Sequence, residues 1–117
     1  MDEKSILTTI KGMLGLTEGY NAFDMEITAH INSAISVLNH IKVGVEDFFI
    51  SDKSFTWDEF IPDNPKLQNM AKQYIWISTR IVFDPPTNSF VVDALSKQKE
   101  ELYWRMYEIA DREGETE

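Results

Sequence analysis

The sequence predicts an all-α fold: a small, four-helix bundle-like domain with an irregular acidic insert between the second and third helices. Three observations lead there. Apolar residues recur three and four apart in four separate stretches. Capping or helix-breaking residues bound each stretch. Between the second and third stretches the helical period lapses and acids accumulate. A chain of 117 residues argues for one domain with a real core. That domain is assigned to residues 1–112, and 113–117 to a short, flexible acidic tail.

Ile6, Leu7, Ile10, Met13 and Leu14 define the first helix, with Gly15 placed to stop it. Residues 16–23 read as a connection. Asp24 is the expected N-cap of the second helix, its carboxylate meeting free backbone N–H groups. Ile27, Ile31, Ala34, Ile35, Leu38 and Ile41 form its apolar stripe, and Gly44 is expected to close it. Asn32, Ser33, Ser36, Asn39 and His40 fall largely off the stripe.

Val45 to Asp63 breaks the pattern. Phe48, Phe49, Ile50, Phe55 and Trp57 are aromatic and β-friendly, and Ser51–Ser54 between them is a turn signal. A short hairpin and an irregular loop both fit. Trp57 to Ile61 can make a single helical turn. From Gly44 to Asp63 six acids face one base, a net charge of −5. An insert of that length is expected to be functional or mobile.

Asn64-Pro65 opens the third helix, since proline costs nothing at the first helical position. Leu67, Met70, Ala71, Tyr74, Ile75, Ser78, Ile81 and Val82 are assigned to its inner face. Asp84-Pro85-Pro86 forces a stop near Val82 or Phe83. Thr87, Asn88 and Ser89 offer caps for a fourth helix running to about Arg112.

Composition excludes several functions. Twenty acids against eleven bases give a net charge of −9, which argues against gripping nucleic acid by its phosphates. The absence of cysteine removes disulfides, thiol catalysis and cysteine metal sites. Met1-Asp2-Glu3-Lys4 does not read as a secretory signal, and no stretch approaches the ~18 apolar residues of a membrane span. His30 and His40 diverge by about 80° around their helix, the wrong spacing for a shared metal. Asp58–Glu59 and Glu100–Glu101 are adjacent pairs without a nucleophile or base. No catalytic residue, cofactor or metal is assigned. The chain is not expected to be an enzyme.

Two features exceed what four helices need. Leu102, Tyr103, Trp104, Met106, Tyr107, Ile109 and Ala110 span an apolar arc of roughly 220°, where about 100° covers a core. Glu101, Arg105 and Glu108 hold the polar strip, with Glu101 and Arg105 at a favourable spacing. Either this helix is packed on both sides within the chain, or one flank meets another chain, where Trp, Tyr and Met are favoured. The second feature is charge segregation. The third helix carries Lys66, Lys72 and Arg80 and no acid, and Lys72, Trp76 and Arg80 share a face. That stripe is either a solvated face with a modest cation–π contact, or the receiver of an adjacent copy's acidic insert through Asp58 and Glu59.

At the junction of the third and fourth helices, Arg80-Ile81-Val82-Phe83-Asp84-Pro85-Pro86 precedes a helix ending in Glu101-Leu102-Tyr103-Trp104-Arg105. With Tyr74-Ile75-Trp76-Ile77, Ile6-Leu7-Thr8-Thr9-Ile10-Lys11, Leu14-Gly15-Leu16, Ile31-Asn32-Ser33-Ala34 and Val43-Gly44-Val45, this order resembles the head–tail connector (adaptor) family of tailed bacteriophages and prophages. The resemblance runs from about Ile6 to Arg105. It implies a non-enzymatic virion protein that forms a ring of roughly a dozen copies under the portal. Such a ring extends the DNA channel and docks a head-completion or tail protein. It implies the head–tail junction as location, the host cytoplasm during assembly, no membrane, and DNA that passes without specific binding. A different class also fits the charge: a small acidic helical regulator, or a DNA mimic, that sequesters a basic partner. Concentration of the acids in one insert and the C-terminal segment counts against it.

Overall fold

The computed structural model describes residues 4–115, and side chains through Arg112. It contains five helices: α1 (Ile6–Met13), α2 (Asp24–His40), a single turn α3 (Trp57–Phe60), α4 (Pro65–Phe83) and α5 (Ser89–Glu115). No strand forms among the described residues, so the fold is all-α. The four long helices are those expected, and α3 is the turn anticipated at Trp57. α5 runs past Arg112 to Glu115, while residues 116–117 of the expected tail lie outside the described residues.

The central element is α4, which packs against α1, α2 and α5. Its burial therefore wraps further round than the stripe predicts: Ile77 and Thr79 are sealed, whereas Val82 is exposed. Tertiary neighbours on three sides override a one-face pattern. One core joins these helices, from Ile6 and Ile10 through Ile31, Ile35 and Ile75 to Met106.

The helix ends are made as follows. Ser5 caps α1, accepting from the Thr8 N–H at 3.2 Å. Asn64 caps α4 through the Leu67 N–H at 3.1 Å, with Pro65 in the first turn. Asn88 takes the cap of α5, its side-chain oxygen accepting from the Phe90 N–H at 2.8 Å. Asp24 does not cap α2: the capping position is Phe23, and no side chain caps there. The Asp24 carboxylate is drawn instead to Lys11, 2.8 Å away. At the other end, Gly44 does not close α2. The chain turns at Lys42 (φ 67°), whose N–H reaches Asn39 O while Val43 N–H reaches Leu38 O. This paired pattern of a helix terminus normally favours glycine at the position Lys42 holds. Gly44 (φ 82°) serves a different need, because a Cβ there would run into the Phe60 ring.

The acidic insert is no appendage. Ile50, Trp57, Phe60 and Ile61 are buried in the common core, and Phe48 stacks on Phe60 at 5.1 Å. No hairpin forms within it. Its one bridge joins Thr56 to Ser5, with Ile6 N–H donating to Phe55 O and Trp57 N–H to Lys4 O, both at 3.0 Å. Of the aromatic residues that suggested paired strands, Phe48, Phe55 and Trp57 pack inward on the core, while Phe49 is exposed.

Candidate functional site: the exposed face of α5

Along α5, Leu102 and Met106 are the buried anchors, four residues apart. Between and beside them the aromatic side chains climb outwards. Buried Tyr74 of α4 meets half-buried Tyr103 at 6.4 Å; Tyr103 meets Trp104 edge-on at 5.2 Å; Trp104 meets Tyr107 at 5.7 Å. Trp104 is 53% exposed and Tyr107 43% exposed. Glu101 and Arg105 pair at 2.6 Å, as their spacing predicts. The apolar arc is thus only half used by the chain's own core. Its outer part is a ladder of rings in contact with one another and open to solvent, an arrangement suited to burial against protein.

Beside this ladder, α5 and the end of α2 leave a groove of about 580 Å³ lined by His40, Ile41, Lys42, Tyr103, Tyr107, Ala110 and Asp111. The far end of α5 is also bare. Phe90 is 82% exposed, Val91 is exposed, and Val82 is exposed on the other side of the Asp84-Pro85-Pro86 corner.

The charged stripe has partners within the chain. The Lys72 ammonium lies 5.7 Å from the centroid of Trp57, not Trp76. Trp76 turns inward, its Nε1–H donating to Met13 O at 3.1 Å. Arg80 Nε donates to Asp84 O at 2.8 Å, and the Asp84 carboxylate lies 3.9 Å away. Asp58 accepts from Gln68 at 2.8 Å, and Glu59 closes a capping box with Thr56. The structure therefore gathers Tyr103, Trp104 and Tyr107 on one face. It disperses Lys72, Trp76, Arg80, Asp58 and Glu59 into local contacts.

Sequence reasoning missed two positioning devices. Asn32 pairs with the backbone of Ile50 in both senses, donating to its C=O and accepting from its N–H, each at 2.8 Å. Asn39 donates to Val43 O and Val45 O at 3.0 Å and accepts from Phe48 N–H at 3.2 Å. Seven residues apart, they lie on one side of α2 and pin the insert to it. The other is Lys11, 3% exposed. Its ammonium reaches Glu18 O at 3.1 Å, Asn21 Oδ1 at 3.5 Å and Asp24, tying residues 16–23 to α1. These groups line a cleft of about 820 Å³ that holds no nucleophile–base pair. Among the described residues no group of His, Asp or Glu could hold a metal ion, and no helix is long and apolar enough to cross a membrane.

A small helical scaffold with a half-covered aromatic face presents a surface suited to contact with other proteins. Comparison with known families makes this specific. The family model for phage connector proteins matches residues 6–113. The chain belongs to that family, a structural rather than enzymatic one, and so is a structural component of the phage particle. No curated protein and no solved structure matches it.

Proposed function

We propose that this connector assembles as a ring of roughly a dozen copies beneath the portal at the head–tail junction. There it extends the DNA channel and offers a docking surface to a head-completion or tail protein. The observation that carries this reading is the exposed Trp104–Tyr107 ladder on a chain of the connector family. Burying large aromatic side chains between protein surfaces is the strongest driving force that such a chain has to offer.

Charge supports the same reading. A duplex must pass a conduit without adhering, and a ring of subunits each carrying −9 repels phosphates. The same charge makes copies repel at long range, so apolar burial and local pairing must drive assembly. The Lys72–Trp76–Arg80 stripe against a neighbour's Asp58 and Glu59 is the pairing contact of this proposal. In joining, Arg80 would exchange its Asp84 partner, and Asp58 its Gln68 partner, for charges across the interface.

The experiment is co-sedimentation and mass measurement with DNA-filled heads that carry or lack the portal. A ring-sized increment on portal-bearing heads is expected. An obligate symmetric dimer that ignores the portal overturns the proposal.

A further inference from the structure

We propose that neighbouring copies join head to tail along α5: the Phe90–Val91 corner of one copy seats in the groove between α2 and α5 of the next. This rests on the ring reading and names an apolar contact that would build it, separate from the charge pairing.

Both halves of such a joint are present on this chain. The projecting half is Phe90, 82% exposed, with Val91 beside it at the start of α5 and Val82 across the corner. The receiving half is the groove walled by Ile41, Tyr103, Tyr107 and Ala110. Phe90 and Tyr107 lie 17 positions apart on one continuous helix, roughly 25 Å at about 1.5 Å per residue. They cannot meet within a chain. Two different patches that fit each other, far apart on one molecule, generate a heterologous contact, which propagates or closes into a ring.

Against the long-range repulsion between copies of net charge −9, one local pairing favours a second copy as the occupant. Asp93 is exposed on the projecting side, and the Asp84 carboxylate is 61% exposed with only a distant Arg80 partner. On the receiving side, Lys42 stands at the groove rim, and Asp111 is the one acid among the groove residues. Lys42 holds a left-handed backbone (φ 67°) where glycine would be less strained. Strain kept at a surface position is explained when its side chain is used. Here the use is to set a cation against Asp93 or Asp84 of the incoming corner.

The chain has no cysteine, so a cross-linking test starts from a clean background. Ser89→Cys marks the projecting corner and leaves Phe90 intact. Asp111→Cys marks the groove wall. The two single variants are mixed, in solution and on portal-bearing heads, and treated with a short bis-maleimide. Mixed 89–111 pairs are expected. A chain carrying both cysteines should give a ladder of multimers, and adding Phe90→Asp should lower the cross-linked yield about ten-fold or more. Only 89–89 or 111–111 pairs would mean a symmetric contact and overturn the proposal. Attachment to heads without 89–111 pairs overturns this joint but leaves the ring reading standing. Ladders without attachment to heads support the joint and remove the portal reading.

Discussion

Lys42 ends α2 in the same left-handed posture that Gly15 takes at the end of α1: φ 67° against φ 85°. The hydrogen bonds correspond as well. Gly15 N–H reaches Gly12 O and Leu16 N–H reaches Lys11 O, just as Lys42 and Val43 reach Asn39 and Leu38. One motif is thus closed once by the residue that suits it and once by a residue that it strains.

Lys42→Gly should therefore stabilise the isolated chain by about 1 kcal/mol in denaturant unfolding. If Lys42 serves the joint between copies, the same variant should assemble less well on heads. A gain in stability with unchanged assembly would assign the lysine no role at the surface.

Asn32→Ala removes both hydrogen bonds to Ile50, the residue that anchors the first half of the insert in the core. The expected loss is about 1–3 kcal/mol, since the groups left unpaired are partly buried. Asn39→Ala should act similarly through Val43, Val45 and Phe48. Hydrogen exchange should accelerate across residues 43–50 in either variant, with the α4–α5 hairpin little changed.

Alkaline pH should expose Tyr74. Burial pushes its phenol above the ordinary tyrosine range, and neighbouring Tyr103 adds to the rise, while a Ser78 hydrogen bond opposes it. A group whose folded pKa exceeds its unfolded one contributes stability that is complete below the unfolded value, about 10. That contribution is lost as pH climbs through the folded value. Unfolding followed from pH 9 upward should show the loss, and Tyr74→Phe should flatten it. Ultraviolet titration should show a late-ionising phenol that Tyr74→Phe removes.

Trp104→Ala and Met106→Ala separate surface from core. Met106 is sealed, and its truncation should cost about 2–5 kcal/mol. Trp104 is half exposed, so its loss should cost the monomer about 1 kcal/mol or less while weakening attachment to portal-bearing heads. A melting temperature lowered as much by Trp104→Ala as by Met106→Ala would return the aromatic ladder to a packing role.

The helices were legible because local chemistry alone sets them: the Asn64-Pro65 start, the Asp84-Pro85-Pro86 stop and the stripe from Ile27 to Ile41 need no distant partner. The excess aromatic character near Trp104 was legible too, since an arc wider than a core requires leaves part of itself bare. What was not legible depends on partners far along the chain. Phe48 and Trp57 suggest strands until Phe60 and Thr9 are seen to receive them. Trp76 looks like a neighbour for Lys72 until Met13, 63 positions earlier, accepts its N–H. Asp24 is a plausible cap with no sign in the local sequence that a buried lysine claims it. The asparagines of α2 lie beside the stripe with nothing to distinguish them from solvated ones.

The uneven anchoring of α5 has a mechanical consequence. Among its described side chains the two sealed ones, Leu102 and Met106, lie at and just past its midpoint, whereas residues 89–101 offer only half-buried ones such as Leu95. Helices commonly loosen from the end nearest the chain terminus; this one should soften at the diproline bend as well. On warming, its opening turns would swing while the turn from Leu102 to Met106 stayed clamped, giving the molecule a compliant elbow at the bend.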